Sequence, residues 1–269
     1  EGMTRMPVVA DRFYPGDPAR LRAAMDVLVP EVVGAKKPAL AVVLPHAGYV
    51  YSGATAGRTV SEVEVPETVV LLGPNHHGRG AALAMGTEDW RMPMGTVPVD
   101  RQLAAAILER STTIVADEEA HASEHSLEVQ VPFLQQVQKG LRIVPIAVGQ
   151  VDYALCQAAA HDLAGAIRSF GKPVLLVAST DMSHYESRQQ ASRKDRLAIE
   201  RILALDPRGL YNTVLGQRIS MCGVLPTTIV LLAALELGAT RAELVEYTDS
   251  GAASGDTDQV VGYAGLIIA

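Results

Sequence analysis

Basic residues are scarce in this chain of 269 residues: 23 Lys and Arg stand against 30 Asp and Glu, a net charge of −7. No basic cluster offsets that balance, which argues against a nucleic-acid partner. Long apolar runs are also lacking. The longest stretches, such as "TTIVLLAALELGA", are too short or too interrupted to span a bilayer. The leading "EGMTRMPVVADRFYPGD" carries no apolar segment of the secretory type. Two cysteines, Cys156 and Cys222, lie far apart and suit a reducing compartment better than a disulfide framework. These absences predict a soluble, cytoplasmic protein with neither membrane nor nucleic acid as partner.

What is present is a rhythm. "PALAVVLP" (38–45), "TVVLLG" (68–73), "LRIVPIAVG" (141–149) and "KPVLLVAST" (172–180) read as buried strands rich in Val, Leu and Ile. Between and after them come the helical patterns "RQLAAAILER", "SLEVQVPFLQQVQ", "YALCQAAAHDLAGAIRS" and "ASRKDRLAIERILAL". Asp17 is placed to cap a helix that begins at Pro18. "LPTTIVLLAALELG" reads as a helix closed by Gly238, and "ELVEYTDSG" and "QVVGYAGLIIA" as two further strands. The alternation predicts one α/β domain over residues 3–269. Its mostly parallel or mixed sheet is covered on both faces, a three-layer α/β/α arrangement. No repeat or linker divides it.

In open sheets of this kind, ligands bind beyond the carboxyl ends of the strands. The chain has seven histidines, and three successive strand ends carry them: His46 in "PHAGYVYSG", His76 and His77 in "GPNHHG", and His184 with Asp181 in "TDMSHY". "HASEHSLE" adds His121 and His125, and "MCGVLP" places Cys222 ahead of a helix. Each has a structural reading as well. His46 can brace a glycine-rich turn, Asp181 can cap a helix, and His184 can sit on a surface loop. Glu124 and Glu128 read as structural, with Glu128 completing a capping box beside Ser126. Cys156 reads as core and His161 as surface, while His121 stays open. Cys222 before Gly223 at a helix entrance is placed for a lowered thiol pKa, and thiolate is the form that binds metal. Two imidazoles and a thiolate would make a three-ligand site with open positions.

The ordered motifs "RFYPGDP", "PHAGYVYSG", "LLGPNHHG", "EHSLEVQVPFLQ", "VPIAVG", "STDMSHY", "CGVLP" and "VVGYAG" resemble the Memo family, from about Arg12 to the C-terminus. Its bacterial members are known as AmmeMemoRadiSam system protein B. The resemblance implies a fold like that of the LigB-like class III extradiol dioxygenases, non-heme iron enzymes that open catechol-type rings with O2. It implies His46, His76 and Cys222 as metal ligands and His184 as the acid/base histidine, with Asp181 orienting it. It also implies His125 in the same cavity and His77 behind the ligands or lining the pocket. Tyr49, Tyr51 and Tyr185 are candidates to line that pocket or simply to pack.

Iron(II) is the expected metal. Cysteine in place of the carboxylate of the usual iron triad leaves copper or zinc as alternatives. The expected partners are a small, aromatic-type substrate and O2, with radical-SAM and AMMECR-type proteins as family-level neighbours. A zinc-dependent hydrolase using the same site and a non-catalytic, peptide-binding adaptor are the alternative functions.

Overall fold

Period-two alternation inside the apolar runs sets the architecture. In the computed structural model, which describes residues 3–269, Ala41 and Val43 face one apolar core while Val42 and Leu44 face another. Val70 and Leu72 oppose Val69 and Leu71 in the same way, as do Leu176 and Ala178 against Leu175 and Val177. Strands buried on both faces need a covering layer on each side.

The strands are β1 (Thr4–Arg5), β2 (Ala41–Leu44), β3 (Thr68–Pro74), β4 (Leu83–Met85), β5 (Asp89–Met92), β6 (Gly95–Val97), β7 (Val115–Ala116), β8 (Arg142–Val148), β9 (Val174–Ser179), β10 (His184–Glu186), β11 (Ala242–Asp249) and β12 (Val260–Ile268). Nine of them form a mixed sheet in the order β10-β12-β2-β9-β3-β8-β4-β7, with β11 along β12. Its centre, β2-β9-β3-β8, is parallel. β12 joins β2 antiparallel. The remaining three, β1, β5 and β6, make a small separate sheet.

The helices are α1 (Pro18–Leu28), α2 (Ala54–Ser61), α3 (Arg101–Arg110), α4 (Val131–Val137), α5 (Tyr153–Phe170), α6 (Arg188–Leu203), α7 (Pro207–Gly216), α8 (Val224–Glu236) and the short α9 (Gly251–Ser254). Leu103 of α3, Cys156 and Leu163 of α5, Ile199 of α6, Leu210 of α7 and Ile229 of α8 fill one core. Leu21 of α1, Val60 of α2 and Phe133 of α4 fill the other, beside Trp90 and Val97 of the small sheet. The expected three-layer α/β/α arrangement is therefore present, with a mixed sheet. Asp17 caps α1 by accepting from the Arg20 amide at 2.9 Å. No helix among the described residues is long and apolar enough to cross a membrane.

One helix starts later than its pattern suggests. Residues 128–130 form a 3-10 turn, and α4 begins only at Val131. Pro132 explains this: its ring and missing N–H are tolerated only in a first turn. Glu128 consequently caps nothing. Its fully buried carboxylate accepts from Arg5 Nη1 (2.8 Å), the amides of Val8 (2.8 Å) and Val9 (3.0 Å), and the Tyr14 hydroxyl (2.8 Å). Arg5 also donates to the carbonyls of His121 and Glu124 and lies over the Trp90 ring. The N-terminal segment is thus fastened to residues 121–128. Glu128→Ala would strand the buried Arg5 charge and should cost about 3–5 kcal/mol. Urea unfolding checks this; a loss below about 1 kcal/mol would contradict the clamp.

Candidate metal centre

β2, β9 and β3 lie side by side and run in the same direction, so their carboxyl ends open at one edge. Pro45-His46 follows β2 and Asn75-His76 follows β3. Thr180-Asp181 follows β9 between them. One ligand atom from each of His46, His76 and His125 lies within 4.8 Å of the others. Among the described residues this is the group of three or more potential ligands that meets so closely.

Hydrogen bonds fix how two of these rings face. His46 is 2% exposed, and its Nδ1 lies 2.9 Å from Ser179 Oγ. Ser179 directs its one hydroxyl proton to the Ser126 carbonyl (2.8 Å) and accepts from Gln130 Nε2 (2.9 Å). Its oxygen therefore accepts from His46 Nδ1–H, which leaves the Nε2 lone pair free. The His46 backbone amide donates to Asp181 Oδ1 at 2.8 Å. His76 is anchored by a carboxylate instead. Glu124 accepts from its Nδ1 at 2.8 Å and from its backbone amide at 2.5 Å. Burial pushes the Glu124 pKa up, but the bonds from His76 and the Ser126 amide outweigh it and hold the group ionised. His125 has no such anchor. Its Nδ1 lies 3.7 Å from Glu124 Oε2, beyond hydrogen-bond distance, and its ring stacks on His76 (centroids 4.7 Å apart, 22° between planes) and tilts against Phe13 (4.6 Å, 35°).

Burial, then the neighbouring His76, pushes the His46 pKa down to about 3. Burial with His46 and His76 pushes that of His125 down to about 4. Both rings are neutral at pH 7, the form that binds metal. Cys222 Sγ lies 3.3 Å from His46 Nε2 and accepts from the Asp181 amide at 3.4 Å. Gly223 permits that approach, because a Cβ there would sit 2.4 Å from the Ser179 carbonyl oxygen. The lowered thiol pKa expected at this helix entrance is not what the surroundings produce. Burial and the Asp181 carboxylate push it up to about 12, so without a cation Cys222 is a thiol hydrogen-bonded to His46. Imidazoles anchored at Nδ1, a third imidazole and a sulfur donor together suit a transition metal.

The other sequence candidates are placed as follows. Asp181 is buried and raised to about 6, chiefly by burial; its Oδ2 is 3.7 Å from His46 Nε2. It braces His46 rather than orienting His184, whose Nδ1 donates to the Ser220 carbonyl at 2.8 Å. His77 is exposed, with its backbone amide on Asn75 Oδ1. Tyr49 packs against Tyr14 and Phe133 in the core and donates to the Val129 carbonyl, so it does not line the site. Tyr51 and Tyr185 are exposed. His121 is core, bonded to the Ala84 carbonyl; His161 is exposed and pairs with Glu236. Sequence reasoning missed Glu124, Ser179 and Phe13. Only Glu124, directly before His125, offered a signal.

The chain matches the family described as Memo-like protein over residues 5–267. It belongs to that family. The MEMO1 family proteins of Methanopyrus kandleri (40% identical, covering 98% of this chain and 99% of that one) and Aquifex aeolicus (40%, 98% and 98%) are among its relatives. So is that of Archaeoglobus fulgidus, 41% identical over 98% of each. The crystal structure of an uncharacterized protein from Escherichia coli K12 is similar in fold, with a TM-score of 0.54 at 16% identity, over 84% of this chain and 98% of that one. In this Memo-like chain the motif residues His46, His76 and His125 come together, with Asp181 and Cys222 against His46; His77 and Tyr49 stand apart.

Glu124→Gln should weaken metal binding about 10–100-fold by loosening His76, as read by metal titration; unchanged affinity would remove the anchoring role. The metal-free protein should also lose stability in mild acid. Unfolded histidines take up protons near pH 6.5, whereas folded His46 and His125 wait until about 3 and 4, so falling pH favours unfolding. Asp181 works the other way, gaining its proton near 6 when folded, and offsets about one of the two. These three groups together give a loss of about 2 kcal/mol between pH 7 and pH 5, and His121, whose pKa burial also lowers, adds to it. Equal stability at both pH values would show the imidazoles are not held neutral.

Proposed function

We propose that this Memo-like chain is a metal-dependent oxidoreductase of the non-heme iron, dioxygenase-like type, acting on a small aromatic substrate with O2. The observation that carries the reading is the convergence of His46, His76 and His125 at the strand ends, two of them anchored at Nδ1, with Cys222 beside His46. His46, His76 and Cys222 would hold the metal, with His125 the neighbouring imidazole in the same pocket. Bound iron(II) would supply Lewis acidity and an electron donor toward O2. His184, fixed at Nδ1 by Ser220, keeps Nε2 to accept a proton from a substrate hydroxyl and return it. Asp181 holds the His46 backbone. The sulfur donor favours a second reading, zinc or copper in the same ligands, with zinc supporting hydrolysis.

After anaerobic iron(II) loading, the parent should hold close to one metal per chain. His46→Ala, His76→Ala and Cys222→Ala should each bind at least about tenfold more weakly. Metal uptake near pH 7 should release close to one proton from the parent, from Cys222, and none from Cys222→Ala. His184→Ala should keep the metal and lose about 100-fold or more in turnover of a catechol. A parent that holds no metal would overturn the proposal, while zinc or copper taken up with iron refused would favour the second reading.

A further inference from the structure

Four non-glycine positions among the described residues have positive φ: Asp11, Tyr185, Leu205 and Arg218. Three have a local cause. Leu205 follows α6 and closes it through Leu205 N to Ile202 O and Asp206 N to Arg201 O. Arg218 closes α7 likewise, through Arg218 N to Leu215 O and Ile219 N to Val214 O. Such paired bonds are the usual left-handed helix ending. Asp11 has a short carboxylate that accepts from the Gly16 amide at 2.8 Å, and a short polar side chain with a local bond tolerates this region.

Tyr185 has neither cause. Its φ is 59° in the middle of β10. His184 and Glu186 on either side pair with consecutive residues, Val261 and Val260, of β12. Tyr185 is thus the extra residue of a bulge, at a left-handed position that suits glycine. A bulky side chain there is a true outlier. Burial does not compensate, because the residue is 72% exposed, and its hydroxyl bonds to no described residue.

The surroundings give the ring a different use. It meets the His184 ring edge-on, 5.9 Å between centroids. Tyr263, 2% exposed and with no hydrogen bond from its hydroxyl to a described residue, stands on β12 two residues past Val261, the partner of His184. Gly262, its neighbour in the chain, bonds to both Met182 and Ser183 and so ties it to the Asp181 loop. Burial first, then Asp181, Tyr51, Asp249 and Tyr185, raise the Tyr263 pKa. Strain retained beside a reacting group points to function.

We propose that Tyr185 is a specificity-determining residue: the left-handed bulge holds its exposed ring beside His184 as a face for a planar ring ligand, at a cost in stability. This rests on the reading of the site as one that takes an aromatic substrate. Catechol is the probe, titrated calorimetrically into the metal-loaded protein without O2, with thermal unfolding measured in parallel. Tyr185→Gly should weaken catechol binding about three- to tenfold while raising Tm by about 2 °C. Tyr185→Ala should show the same binding loss without the gain in Tm, because the strain stays. Tyr185→Phe should bind catechol within about twofold of the parent.

Unchanged affinity in the glycine variant would overturn this inference alone. A fall in its Tm would do the same, by showing that the ring is there for stability. A metal-loaded parent that does not bind catechol would overturn the aromatic-substrate reading, and this inference with it.

Discussion

Burial of β2, β9 and β3 on both faces is the constraint on which the rest of the structure depends. A parallel strand covered by helices above and below has no room for a polar side chain along its length. Ala41–Leu44 and Val69–Leu72 are apolar throughout, and β9 turns polar only at Ser179. The first places where imidazoles and carboxylates can stand are the strand ends. Because the three strands are adjacent and parallel, those ends meet.

Convergence alone would leave loose rings. The site is made rigid by hydrogen bonds from atoms that take no part in chemistry: Ser179 under His46, Glu124 under His76, and the Ser220 carbonyl under His184. Each anchors Nδ1, so Nε2 is the nitrogen that a metal or a proton would meet. The short segment from Glu124 to Glu128 serves both ends of the argument. Glu124 positions His76, His125 lies between His76 and Phe13, and Glu128 fastens the N-terminal segment that carries Phe13. Stability and site geometry therefore share one short segment of chain here.

Two groups work against stability, one of them only as pH falls. His46 is kept neutral in a fully buried position, and Tyr185 keeps a backbone angle better suited to glycine. His46 belongs to the candidate metal centre, and Tyr185 follows His184 in β10. The thiol of Cys222 is raised rather than lowered in pKa, so only a nearby cation would make it the thiolate that binds metal.

The amino-acid sequence by itself determined the layers, the central strands, the helix capped by Asp17 and the histidines at the strand ends, because these follow from period, chain-local capping and the rule that polar groups gather beyond buried strands. It also carried the family motifs. Only the tertiary structure decided that Glu124 anchors His76 and that Glu128 clamps Arg5. The same holds for Tyr49 in the core, for Asp181 bracing His46 and for the raised Cys222 pKa. Each of these rests on partners dozens of residues away or on the dielectric around the group. Pairing across the chain, burial and a single left-handed φ at Tyr185 leave no local pattern to read.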